Sequence, residues 1–458
     1  MMRVADAARM IGARAIGDAG FTGVSTDSRS VARGELFVAL RGERFDGHAF
    51  LATAAARGAA AALIDAACFA SGAALPMPVL IAGDTRRALG DLARAWRKRF
   101  SPALIAIAGS NGKTTTKEML AAILRASAGD AQVLATAGNL NNDIGLPLTL
   151  LGLRETHLIC AIELGMNHPG EIAYLAEIAA PGIALVTNAQ REHLEFLHSV
   201  EEVAAENAAL YAALPADGIA VVNADDPQAD LFRAAAGARR VVDFSLERAA
   251  ILRARCRLHH LASEISVTMP AGEVQASLAI PGVHNVRNAL AAAACAHAAG
   301  IAPAAITAGL GAFRPSSGRL QVKRAAQGAT LIDDSYNANP DSVRAAIDVL
   351  AGAGGRTVLV LGDMGEVGEQ GADFHAEIGR YAKERGIEAM YALGELTAHA
   401  VAGFGPGARH FASAETLLAA LAAWSGAGCT LLVKGSRFMR MERVVAALAG
   451  QNRVAEAH

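Results

Sequence analysis

The stretch AGSNGKTTTK, Ala108 to Lys117, holds the residue types that a phosphate cradle needs. Gly109 and Gly112 allow a tight backbone turn around Ser110 and Asn111, and successive N–H groups at a helix start face an anion. Lys113 offers a positive charge to β- and γ-phosphates, Thr114 a hydroxyl to Mg²⁺, and Thr115 continues the same turn. Five positions before Gly112, where the common pattern has another glycine, stands Ile107, so this loop is a shortened one. A plain glycine-containing strand–helix turn is the alternative reading. Two more residues could serve a metal. Glu163 ends the apolar run HLICAIE at a strand's carboxyl edge, and His193 lies in NAQREHLEF, just past the strand GIALVTN. A lone His in such a loop also serves as a surface or packing residue.

These groups require strands that end together and helices that start beside them. From about Ala103, the apolar runs ALIAIAG, HLICAIELG, GIALVTN and GIAVVNADD alternate with helical patterns such as NGKTTTKEMLAAILRA, which predicts a parallel sheet covered by helices. A second series, ATLIDDSYN, RTVLVLGDM, IEAMYALGE and CTLLVKGS, follows the turn-rich RPSSGR. Before Phe100, GELFVAL and AAALID read as strands and DTRRALGDLARAWRKRF as a helix. The expected fold class is therefore α/β in three domains: a small N-terminal α/β domain (1–100), a central P-loop parallel-sheet ATPase domain (101–313) and a C-terminal Rossmann-like domain (314–458).

Composition limits the partners. Formal net charge is -2 and the sequence pI about 6.7, without the basic footprint that nucleic acid demands. Cys68, Cys160, Cys256, Cys295 and Cys429 are odd in number and far apart, which suits a reducing compartment. Arg and Asp interrupt the N-terminal segment before any apolar block forms, so a cytoplasmic protein without membrane insertion is expected. The nearly uncharged stretch from Asn288 to Phe313 is Ala-rich and contains His297 and Pro303, and it predicts two packed helices rather than a span.

Taken in order, GSNGKTTT, GNLNNDIGLP, ELGMNHPGE, the triplet His193-Leu194-Glu195, PGVHNVRNALAA, SSGRLQ, DDSYNANPDS, LGDMGEVGE and VKGSRFMRME resemble the Mur ligase family over nearly the whole chain. The N-terminal STDSRSV and LRGERFDGHAF sharpen the likeness. What the resemblance implies is ATP-dependent joining of D-alanyl-D-alanine to the terminal carboxylate of UDP-N-acetylmuramoyl-tripeptide through an acyl phosphate, releasing ADP and phosphate in peptidoglycan precursor synthesis.

By the same resemblance, the residues fall into roles. Lys113, Glu163, His193 and Arg319 form the catalytic set, with Mg²⁺ held by Thr114, Glu163 and His193. Gly109 to Thr115 grip ATP, Asn285 and Asn288 contact adenine, and Arg319 and Asp334 reach the nucleotide. Asp333 and Asp334 also read as the cap of the helix after NPDS. Ser28, Arg29 and the loop Arg41 to His48, with Arg41, Asp46 and His48, would take the uridine nucleotide. Asn139, Asn141 and Asn142 would line the muropeptide path, and Tyr336, Asn337 and Asn339, with Leu361 to Glu366, the dipeptide site. A monomer is expected. One position departs from the family pattern: Asn207 stands where members carry a lysine modified to a carbamate that supports a second Mg²⁺. A related ligase for another amine, such as folylpolyglutamate synthase, and a non-catalytic nucleotide-binding protein are the rival readings. DDSYNANPDS and LGDMGE argue against the first, and Asn207 alone favours the second.

Overall fold

The computed structural model describes residues 1–42, 45–69 and 75–450. Glu43 and Arg44 of the expected uridine loop, and residues 451–458 of the expected third domain, lie outside the described residues. The chain divides into two compact units, Met1–Ala106 with Asp130–Met166 and Gly170–Gly182, and Ile107–Gly129 with Asn167–Pro169 and Ile183–His458.

The first unit carries a five-stranded sheet in the order Arg14–Ile16, Val79–Ala82, Ala61–Asp65, Leu36–Val38, Val24–Ser25. Its first pair is antiparallel and the rest are parallel. Every residue of Ala61–Asp65 is buried, as expected of a strand covered on both faces. The helix Thr85–Arg97 starts at Asp84, whose side chain accepts the N–H groups of Arg86 and Arg87. It buries Ala88, Leu89, Leu92, Ala93 and Trp96 along one stripe. The same unit pairs Val133–Ala135 with Ile159–Glu163 in parallel, and the buried run of the second strand ends at Glu163.

In the second unit, a sheet runs outward from the end of Ala103–Ala108 through Ile183–Val186, Ile219–Asn223, Arg240–Ser245, Leu252–Leu258, Ser263–Met269 and Gly272–Leu278. Pairing is parallel from Ile183–Val186 to Leu252–Leu258 and antiparallel over the last two steps. The sequence reading stopped its strands at GIAVVNADD. Strand Ser263–Met269 alternates buried and exposed residues, so its polar face is solvated and its apolar face is packed.

Helices Val283–Ala298 and Pro303–Ala312 account for the uncharged stretch, and no helix among the described residues is long and apolar enough to cross a membrane. A Cβ at Gly309 would lie 2.3 Å from the Cα of Ile123 in helix Lys113–Ala128, so only glycine allows this approach.

A six-stranded sheet closes the unit: Gln321–Arg324, Thr330–Asp334, Cys429–Lys434, Arg356–Gly362, Ala389–Leu393, Ala408–Phe411. All but its first pair are parallel. Leu331, Val358, Val360, Leu431 and Val433 pack at its centre. The α/β class read from the alternating runs holds in both units. Cys160, Cys295 and Cys429 are buried thiols, whereas Cys68 and Cys256 are exposed.

Candidate active site

The loop before helix Lys113–Ala128 is held from outside by the strand-end segment Thr187 to Gln190. Ser110 N–H donates to the Asn188 carbonyl (2.9 Å), and Asn111 N–H to Asn188 Oδ1 (2.9 Å). Asn188 Nδ2 and Thr187 Oγ1 return bonds to the Asn111 carbonyl at 2.9 and 2.8 Å. The two glycines are required by geometry. Gly109 has φ +120° and Gly112 φ +83°, and a Cβ on either would lie 2.2 Å from Thr187 Oγ1 or Asn288 Oδ1 respectively. Lys113 Nζ donates to the carbonyls of Gly109 (2.6 Å) and Ser110 (2.8 Å) and lies 3.4 Å from both carboxylate oxygens of Glu192.

Burial alone would raise the Glu192 carboxyl, but Lys113 and His193 hold it below the ordinary carboxylate value. His193 lies 3.4 Å from Glu192 through Nε2 and 2.6 Å from Glu366 through Nδ1. Burial disfavours its charge, yet the two carboxylates raise its pKa to about 9. His193 (φ +54°) and Glu366 (φ +59°) both adopt the left-handed conformation, costly for residues with a Cβ and persisting where surrounding structure enforces it.

The six-stranded region contributes more. Arg319 Nη2 donates to Thr114 Oγ1 (3.3 Å), and its guanidinium lies 4.0 Å over the Tyr336 ring. Asp334 pairs with the buried Lys434 (2.6 Å) and accepts Leu320 N–H (3.1 Å). Asn339 caps helix Pro340–Gly352 in a capping box and exchanges amide bonds with Asn111 (2.9 and 3.3 Å). So the cap reading suggested for Asp333 and Asp334 belongs to Asn339, while Asp333 binds Lys323 (2.6 Å), Ser335 Oγ (2.6 Å) and Gly318 N–H. Asn337 offers its carbonyl to Lys434 (2.9 Å).

These parts border one cavity of about 1000 Å³, lined among others by Asn111, Gly112, Thr115, Asn285, Asn288, Arg319 and Asp334. Asn288 Nδ2 donates to Asn285 Oδ1 (3.1 Å), and Asn285 Nδ2 to the Pro281 carbonyl (2.8 Å), which fixes both amides on the wall. The cavity thus joins the phosphate loop to a wall of fixed amides, a suitable chemistry for a nucleotide.

In the first unit, Glu163 is buried, and its Oε1 accepts Asn141 Nδ2 (2.8 Å). Asn142 caps the turn through Gly145 N–H (2.9 Å), and Asn139 is exposed. Ser28 is buried, whereas Arg29 is exposed and paired with Asp27 (2.9 Å). Arg41 meets Cys68 Sγ (2.7 Å) and Asp46 (3.3 Å). Asp46, His48 and Cys68 approach within 4.8 Å as a metal set would. Yet His48 Nε2 accepts Asp65 N–H (2.9 Å), so the neutral ring's proton sits on Nδ1, facing Asp46 at 2.5 Å.

Asn207 is fully buried; Nδ2 donates to the Val203 carbonyl (2.9 Å) and Oδ1 meets no protein donor. Sequence reasoning missed Glu192, Asn188, Arg191, Asp341 and Lys434. Glu192 sits beside a residue it singled out, and a carboxylate flanking such a histidine was the available signal. Arg191 and Asp341 meet across 150 positions, and Lys434 and Asp334 across 100, without any local mark.

Three family models match the chain in order: a Mur ligase family catalytic domain over residues 20–97, a Mur ligase middle domain over 107–296 and a Mur ligase glutamate ligase domain over 318–437. The UDP-N-acetylmuramoyl-tripeptide--D-alanyl-D-alanine ligase of Escherichia coli (strain K12) is 41% identical over 430 residues, covering 93% of each chain. A crystal structure of MurF from Acinetobacter baumannii superposes with TM-score 0.89 at 32% identity, covering 98% of this chain and 99% of that one. MurF ligase from Thermotoga maritima in complex with ADP gives TM-score 0.82 at 26% identity, over 94% and 97% of the two chains. With most of its length matched by those models and by a relative of this similarity, the chain belongs to the Mur ligase family.

Proposed function

We propose that this protein joins D-alanyl-D-alanine to the terminal carboxylate of UDP-N-acetylmuramoyl-tripeptide at the expense of ATP, forming UDP-N-acetylmuramoyl-pentapeptide, ADP and phosphate. The observation that carries it is the glycine-bounded phosphate loop beside a cavity walled by Asn111, Gly112, Asn285, Asn288, Arg319 and Asp334, in a chain whose curated relatives bear that activity in their names. Residues 1–100 would take the uridine nucleotide, 101–313 ATP and 314–458 the dipeptide. Free thiols and the need for ATP support a cytoplasmic site of action.

The muropeptide carboxylate attacks the γ-phosphorus, two anions meeting, so cations must offset repulsion and follow the charge onto the leaving ADP. Lys113 and Arg319 would serve this. Lys113 would exchange its loop carbonyls for phosphate oxygens while Glu192 keeps it aimed. The acyl phosphate is then attacked by the dipeptide amine, the tetrahedral adduct expels phosphate, and the amine proton leaves to a base. Stacking on Tyr336 keeps Arg319 from swinging away from Thr114.

Thr114 carries a hydroxyl oxygen and, in the first unit, Glu163 a carboxylate, each of the hard kind that Mg²⁺ favours, while Asn207 Oδ1 in the second unit meets no protein donor. His193, held charged between Glu192 and Glu366, fits a metal only after losing its proton. Mg²⁺ would neutralise charge on the β- and γ-phosphates. The test is ADP release with UDP-N-acetylmuramoyl-tripeptide present. D-alanyl-D-alanine should stimulate it, with a product heavier by two alanines, whereas stimulation by glutamate or a single amino acid instead would refute the reading.

A further inference from the structure

Three consecutive residues of one loop each pair with a different part of the second unit. Glu192 faces Lys113 of the phosphate loop, and His193 faces Glu366. Arg191 spends its whole guanidinium on two carboxylates of the six-stranded region. Its Nε and Nη2 reach Asp341 Oδ1 at 3.1 and 2.6 Å, and Nη1 and Nη2 reach Glu377 at 2.8 and 3.2 Å. Its main-chain N–H also donates to Asp341 Oδ2 (2.9 Å), and its flat face lies 5.2 Å from the Phe374 ring centre. Arg344 places a second cation on Glu377 (3.0 Å).

A planar fork meets both carboxylates with paired N–H donors in fixed directions, a geometry that an ammonium does not reproduce. Asp341 lies in the first turn of helix Pro340–Gly352, two residues from the cap Asn339 that bonds Asn111. The start of that helix is therefore tied twice to the nucleotide end of the unit, once through the phosphate loop and once through Arg191.

Resting on the ligase reading above, we propose that Arg191 is a positioning residue for amide formation. It seats the region that carries Arg319, Tyr336 and Glu366 against the phosphate loop, and through its neighbour Glu192 it couples that seating to the aim of Lys113. On the ligase reading, residues 109–115, 285 and 288 hold the nucleotide without any bond to Arg191, whereas Arg319 and Asp334 reach it from the region that Arg191 seats. Loss of the fork should therefore weaken nucleotide binding only slightly and weaken capture of the amine substrate more.

The test uses full-length Arg191→Gln, Arg191→Lys and Asp341→Asn. For Arg191→Gln and Asp341→Asn, KM for D-alanyl-D-alanine should rise at least roughly tenfold while affinity for a non-hydrolysable ATP analogue stays within about threefold. Arg191→Lys should fall between. Hydrogen exchange, which needs no substrate, should quicken in Arg191→Gln both at the first turn of Pro340–Gly352 and at residues 109–112.

An unchanged dipeptide KM in both variants would overturn the proposal, as would equal losses for all substrates, the mark of a merely structural residue. Quickened exchange at the helix without any at the phosphate loop would overturn the coupling. Wild-type protein that fails to lengthen the muropeptide would instead sink the ligase reading, while the exchange comparison still decides the coupling.

Discussion

At the scale of single residues, Lys113 has one job in each state. Its ammonium holds the loop closed through two carbonyls and keeps a buried carboxylate, Glu192, ionised. Lys113→Ala should lower turnover by roughly 10²–10³-fold, the usual cost of removing one charge stabiliser in a dry site, with the circular-dichroism spectrum preserved. Near-normal ADP release by this variant would contradict the assignment. The loop itself was legible because its parts are contiguous, so glycine, lysine and threonine at fixed offsets specify the turn. Glu192 was less so: its place beside His193 is the one local mark, and that mark does not say whether the carboxylate meets Lys113 or solvent.

At the scale of elements, one tight constraint is where helix Pro303–Ala312 crosses helix Lys113–Ala128 at Gly309. A methyl there meets main chain, not a flexible side chain, so the helices must part. Gly309→Ala should cost about 1–3 kcal/mol of stability, read as a shift in urea midpoint. Gly311→Ala, where nothing lies within 4 Å of the added carbon, should stay within about 1 kcal/mol of wild type. Equal effects at the two positions would show that helix propensity, not packing, dominates. Parallel strands such as Ile159–Glu163 and Ile183–Val186 were visible in the sequence as unbroken apolar runs, because both their faces are covered. Leu252–Leu258 has a solvated face and alternates with arginines, and its two-residue period was hidden by neighbouring polar segments.

At the scale of the whole molecule, imidazoles shielded from solvent set opposing pH limits. His284 is pushed down to about 4 by burial against the cavity wall. His375 is also lowered by burial, with Nε2 accepting Met364 N–H (3.0 Å) and Nδ1 bonded to the Gly371 carbonyl (2.6 Å). Both are neutral when folded, so their stabilisation is present above the unfolded value of 6.5 and is lost as pH falls, for His284 through about 4. His193 works the other way. Its folded value near 9 exceeds the unfolded 6.5, so its contribution is full below 6.5 and is lost as pH rises through about 9. Thermal midpoints should therefore peak near pH 6.5 and fall on both sides; a monotonic rise across this range would remove His193 from the balance. No composition-level quantity foretold this, since net charge does not record which histidines are enclosed.

The thiols described with the fold carry one last consequence. Burial pushes Cys160 up to about 12 and Cys295 higher still, and an alkylating reagent attacks the thiolate rather than the thiol. What remains open to such a reagent is one cysteine in each compact unit, Cys68 in the first and Cys256 in the second. The native chain thus carries its own pair of attachment points for spectroscopic labels, one reporting from beside Arg41 and the other from the antiparallel strands.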